Sequence, residues 1–150
     1  MNKPRAVVAT SAVFLSAALV AIYFQFQQPT IKATEVLTWD CESAVYKPES
    51  ITLTCADGGW SLQEITWASW TEKGAEGIGT FRENLCKPSC ADGEFVEAKV
   101  NLKLSDLTPY KGKFYLKTID ITTQDGKDFP WRRAGMITWD AMEFIEGAER

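Results

Sequence analysis

Phe95-Val96-Glu97-Ala98-Lys99-Val100-Asn101-Leu102-Lys103-Leu104 is the stretch that decides the fold. Val96, Ala98, Val100, Leu102 and Leu104 fall on one side of an extended chain, and Glu97, Lys99, Asn101 and Lys103 on the other. Strand side chains alternate between faces, so this is a strand with one buried and one wet side. The same period recurs on both flanks. Ile51-Thr52-Leu53-Thr54-Cys55 alternates with Ile51, Leu53 and Cys55 inward, and Ser61–Trp70 forms a strand in which Ile65 and Trp67 share a face. Glu76–Asn84 is softened by Gly77 and Gly79, which suits a bulge or an edge. In Lys113–Thr123 the inward set passes from Phe114 and Leu116 to Ile119 and Ile121, so a bulge is expected near Thr118.

Between these strands lie turn signals. Cys-Ala-Asp-Gly occurs at Cys55–Gly58 and again at Cys90–Gly93, each time ahead of a strand. Asp-Gly tolerates positive φ, and one carboxylate per turn is too few for the 6–8-oxygen shell of calcium, so the aspartates read as turn formers. At the C-terminus, Asp140 with Glu143 fits a helix-capping box, and Ala141, Phe144, Ile145 and Ala148 form an apolar stripe. The expected fold is all-β with one short C-terminal helix over Asp140–Arg150. Five or six strands spaced by turns predict an antiparallel β-sandwich or small open barrel.

The N-terminus has a different character. Met1-Asn2-Lys3-Pro4-Arg5 is basic, and the 19 residues Ala6–Phe24 carry no charge. As a helix that run measures about 28 Å, the thickness of a bilayer core. The basic flank puts the N-terminus in the cytoplasm and the rest outside. The run is longer than a cleavable apolar region and ends in the bulky Ile22-Tyr23-Phe24, and the nearest small-residue site, Ile31-Lys32-Ala33, is a poor one. An uncleaved anchor is the expectation, and a cleaved signal peptide the alternative. The organisation is then a membrane-spanning or signal helix over residues 1–24, a polar tether over 25–35 and a disulfide-stabilised extracytoplasmic β-domain over 36–150.

Cys41, Cys55, Cys86 and Cys90 all follow the apolar run. An even count on the oxidising side argues for disulfides. Cys86-Lys87-Pro88-Ser89-Cys90 is a tight loop that favours the local bridge, which leaves Cys41 with Cys55. A Cys₄ zinc site is the alternative, but the spacing C-x₁₃-C-x₃₀-C-x₃-C lacks paired knuckles, and C-x₃-C is not the C-x-x-C of a redox pair.

Composition narrows the chemistry. The chain has no histidine, which removes Ser-His-Asp and Cys-His catalysis and histidine-ligated zinc. Beyond Lys3 and Arg5 there are 14 basic against 20 acidic residues. Nucleic acid and anionic lipid need clustered Lys and Arg, so neither is expected as a partner of the domain. No cofactor is expected.

Several of these stretches occur together in a recognisable order. Ile51–Gly58, Ile65-Thr66-Trp67-Ala68-Ser69-Trp70, Gly77-Ile78-Gly79-Thr80 and Cys86–Phe95 resemble a group of small exported actinobacterial proteins of unknown function, over about Ile51–Gly126. The resemblance implies export and disulfides at Cys55, Cys86 and Cys90, and no activity. Members usually carry histidine and a Tyr-Pro pair just after the position of Gly93, where this chain has Glu94-Phe95-Val96-Glu97.

Two functions are open on the sequence. The first is a non-enzymatic, membrane-anchored or secreted cell-envelope module that binds a cell-wall polymer or another envelope protein. Its motive is six tryptophans, Trp39, Trp60, Trp67, Trp70, Trp131 and Trp139. Trp67 and Trp70 differ by an odd number, so a regular strand makes Trp67 core and exposes Trp70. Trp70, with Trp60, is the candidate binding residue. The second is a carboxylate-dependent envelope hydrolase drawing on Asp57, Glu64, Asp92 and Glu94 near turns.

Overall fold

The computed structural model describes residues 31–41, 43–143 and 145, all within the unit Ile31–Arg150. The anchor or signal segment 1–24 lies outside them, as does most of the C-terminal stretch read as a helix. Ile31 packs against the core and Ala33–Glu35 form a 3₁₀ turn, both within the stretch read as a tether.

Strand makes up 58% of the described residues, in a single curled sheet that forms an open half-barrel rather than two packed sheets. Its strands are β1 (Val36–Asp40), β2 (Ser43–Val45), β3 (Ile51–Thr52), β4 (Trp60–Thr71), β5 (Gly74–Asn84), β6 (Phe95–Tyr110), β7 (Lys113–Thr123) and β8 (Met136–Asp140). The order is β2-β1-β7-β6-β5-β4-β3, with β8 also paired to β7. β1 runs parallel to β7, so the sheet is mixed, whereas the sequence predicts an antiparallel one. Period-2 patterning reports a strand's faces and says nothing of a neighbour's direction.

The quoted alternation is the inner half of β6. Val100, Leu102 and Leu104 are buried against Ile119 and Ile121 of β7 and Phe81 of β5 in one core. The phase change in β7 is present without a register shift. β6 changes face at the same level, from Leu104 to Leu107, and the pairing keeps one register from Val100↔Thr123 to Tyr110↔Lys113. Asp106, at φ 63°, interrupts β6 there. Both strands turn over together, which a single-strand pattern reads as a bulge.

The bulges lie in β4, at Gln63/Thr66 and at Trp67/Ser69. β5 is not an edge, since it runs between β4 and β6, and Gly77 and Gly79 are where the bulged strand crowds it. A Cβ at Gly77 would lie 2.7 Å from the Thr66 carbonyl oxygen and 2.9 Å from Trp67 Cε3. Glycine is required there by close approach rather than by φ.

The pairs Cys41–Cys55 and Cys86–Cys90 are both formed. The first ties the end of β1 to the loop after β3, strands far apart in the sheet order, and beside it the Thr52 N–H donates to Asp40 Oδ1 at 2.9 Å. Cys55 itself is exposed, not inward as its parity suggests, because β3 ends at Thr52. The second closes the β5–β6 loop around the buried side chain of Asn84. That amide donates to the Cys90 carbonyl at 2.9 Å and accepts from the Cys86 N–H at 2.8 Å. Gly93 packs against it so closely that a Cβ would collide with Asn84 Oδ1. The two Cys-Ala-Asp-Gly copies differ in detail: Asp57 accepts from the Gly59 N–H, while Asp92 closes onto Ser89.

Asp140 ends β8, and its Oδ1 accepts from the Met142 N–H at 2.8 Å; most of the helix expected beyond it lies outside the described residues.

Candidate functional site

Trp70 is a core residue, only 4% exposed, with Nε1 donating to the Val36 carbonyl at 2.8 Å. The expectation that it faces solvent is overturned by the second β4 bulge. Between Trp67 and Ser69 the chain gains a residue against β5, the parity reverses, and both indoles turn to the same side. They meet edge to face at 4.7 Å, and Trp67, half-buried, donates from Nε1 to the Pro48 carbonyl.

Trp60 is half-buried and has three neighbours. The Arg132 guanidinium lies 4.4 Å over its ring, and Phe81 and Trp139 pack against it at 5.7 and 5.9 Å. Arg132 is held in turn by Glu83, whose carboxylate also accepts from Trp131 Nε1 at 2.6 Å. Trp60, Trp131 and Trp139 pack against the core in this cluster.

The four candidate carboxylates are spread over three elements. Asp57 sits in the β3–β4 turn, Glu64 on β4, and Asp92 and Glu94 in the β5–β6 loop. The Gly59 N–H and the Thr54 hydroxyl hold Asp57 below its usual pKa. Hydrogen bonds from Lys99 (2.7 Å) and Thr80 (2.9 Å) do the same for Glu64. A glycosidase acid needs its pKa raised, so these shifts have the wrong sign for that role. They do affect acid stability. Glu64 is the stronger acid in the folded state, so its contribution is complete above its unfolded pKa and lost as pH falls through the lower folded value. Glu64→Gln should therefore lower the melting temperature at neutral pH, and the gap to wild type should close as pH falls from about 5 to about 3.

The aromatic recess lies elsewhere, between the β1–β2 and β6–β7 hairpins. Tyr110↔Lys113 flank a two-residue turn, Lys111-Gly112, with φ of 46° and 76°. Two positive φ values match the right-handed twist of the strands, and glycine supplies the second without strain. On β7, Leu116 faces the core and Tyr115 the opposite side, where Trp39 and Tyr110 cover it at 6.0 and 6.3 Å between ring centroids. Burial, then the neighbouring Tyr110, pushes the Tyr115 phenol above its usual pKa. The result is a cleft of about 480 Å³ with Tyr115 as floor, Trp39 and Tyr110 as walls, β2 opposite, and Lys111 and Lys113 at the rim. That volume is in the ligand-pocket range. Sequence reading missed this site because β1, which carries Trp39, was not recognised. The available signal was Tyr110-Lys111-Gly112-Lys113, a turn with aromatic and basic flanks.

A second recess, about 690 Å³, crosses the solvent-facing side of β4–β8. Ile78, Asn101, Thr122 and Met136 align across four strands, and Ile78 and Met136 are 50% and 56% exposed.

No family model matches the chain, and no curated protein or solved structure is significantly similar to it.

Proposed function

We propose that this protein is a non-enzymatic cell-envelope module, exported and either anchored by residues 1–24 or released after cleavage, whose β-domain binds a cell-wall polymer. Its localisation reading rests on the basic stretch and apolar run at the N-terminus, with two disulfides suiting an oxidising compartment. The short helix expected over Asp140–Arg150 and the resemblance to exported actinobacterial proteins belong to the same proposal.

The observation that carries the binding role is the Trp39–Tyr110–Tyr115 cleft. Aromatic walls present flat apolar faces to the C–H side of a sugar ring, and their polar edges meet its hydroxyls. The rings are held by strands and a tight hairpin, so little freedom is lost on binding. A second reading, an envelope-protein partner, is favoured by the exposed Ile78 and Met136. The carboxylate hydrolase has less support, given lowered pKa values at Asp57 and Glu64.

The test is co-sedimentation of the full chain with intact cell wall. Wild type should sediment with the wall, and Tyr110→Ala should weaken retention about tenfold, the loss of one stacking contact. Ile78→Ser/Met136→Ser should retain wild-type binding. Loss in that double variant, with Tyr110→Ala unaffected, would transfer the function to the second recess.

A further inference from the structure

We propose that the second recess is a two-fold self-association surface whose occupant is a second copy of this chain. The proposal is independent of the polymer-binding reading of the aromatic cleft.

Strand register lays the side chains of this face out in rows. One row is Ile78, Asn101, Thr122 and Met136, paired in turn across β5, β6, β7 and β8. Its two ends are apolar and exposed, Ile78 by 50% and Met136 by 56%. The next row, two residues along each strand, is Glu76, Lys103, Asp120 and Thr138. Asp120 Oδ1 accepts from the Thr138 hydroxyl at 2.7 Å, which draws that carboxylate toward β8. On the far side of the apolar row stand Thr80 and Lys99, with Lys99 bonded to Glu64 at 2.7 Å.

These rows are complementary to themselves. Consider a two-fold axis in the interface plane, parallel to the strands and midway between β6 and β7. It lays each row over the same row of the other copy, end for end. A two-fold contact sets residue i on residue j and j on i. Ile78 of one copy then meets Met136 of the other, and Asn101 meets Thr122. Lys103 meets Asp120, and Glu76 meets the uncharged Thr138. Each contact occurs twice, and within these rows no like charges are opposed. Sheets pack face to face in this aligned manner about 10 Å apart. An axis across the strands would instead exchange the two flanking rows and set Lys103 on Lys99. Like charges so placed are unfavourable, so charge selects the first arrangement.

Charge exchange tests the contact directly. The mass of the full chain is measured by size exclusion with light scattering, in a mild non-ionic detergent suited to the apolar run Ala6–Phe24. Wild type should be dimeric. Lys103→Glu and Asp120→Lys each oppose like charges at two symmetric contacts. Each should weaken association about a hundredfold, tenfold per contact. Mixed in equal amounts, the two single variants should dimerise again, because each exchanged position then faces its opposite charge in the other chain. Mixing does not repair misfolded chains. The double variant Lys103→Glu/Asp120→Lys, which also sets opposite charges together, should match wild type. A monomeric wild type, or single variants that stay dimeric, would overturn the proposal. So would a mixture or a double variant that stays monomeric. None of these outcomes bears on the aromatic cleft.

Discussion

Trp70→Ala is expected to destabilise the domain by about 3–5 kcal/mol, the cost of deleting a buried aromatic side chain. Three contacts fail at once. The indole is 4% exposed within the core, it meets Trp67 edge to face at 4.7 Å, and its Nε1–H satisfies the Val36 carbonyl. That last bond joins β4 to β1, so the substitution also loosens the curl of the sheet. Tyr46, packed against the far side of Trp70 at 5.9 Å, would lose its partner too. Trp70→Phe should recover part of the loss by filling the volume, though not the hydrogen bond. Chemical denaturation followed by circular dichroism gives the number. A midpoint within experimental error of wild type would mean that Trp70 is a surface residue and that the β4 bulges are wrongly placed.

Removing the Cys41–Cys55 bridge should cost about 3 kcal/mol, and removing Cys86–Cys90 about 2 kcal/mol, because the larger loop restrains the unfolded chain more. The structure adds a reason for the same ranking. Cys41–Cys55 connects β1 with the chain after β3, across the curl, next to the Asp40–Thr52 hydrogen bond. Cys86–Cys90 closes a loop of 4-residue separation that Asn84 also holds from within. Urea midpoints of Cys41→Ser/Cys55→Ser and Cys86→Ser/Cys90→Ser, each compared with wild type, provide the check. A larger loss from the second pair would contradict this assignment of roles.

Trp70 also shows where sequence reading stops. The strand it belongs to was legible, as were β5, β6 and β7, because each has one buried face and alternation records it. Both disulfides were legible because four cysteines leave only three pairings and a five-residue loop favours itself. A bulge has no such record. Glu64 takes φ 53° and Trp67-Ala68-Ser69 gains a residue without a glycine or proline to announce either. The one residue added between Trp67 and Ser69 reversed the face of Trp70, the first of the two tryptophans chosen for binding. β1 was illegible for another reason. It is five residues long and pairs in parallel with β7 only at Val36↔Phe114 and Leu37↔Tyr115, partners far apart in the sequence that no local pattern records. Trp39 went with it, so the cleft that β1 helps build was not foreseen, although Lys113 and Tyr115 stood within a recognised strand.

The central claim is that the recess between the β1–β2 and β6–β7 hairpins is the polymer seat. Its most direct test is ¹⁵N-resolved NMR of the full chain titrated with soluble cell-wall fragments. Shifts are expected at Trp39, Ser43, Ala44, Tyr110 and Lys113, with the Trp39 indole N–H among the largest. Shifts gathered instead on Ile78, Asn101 and Met136, or none at saturating fragment, would contradict it.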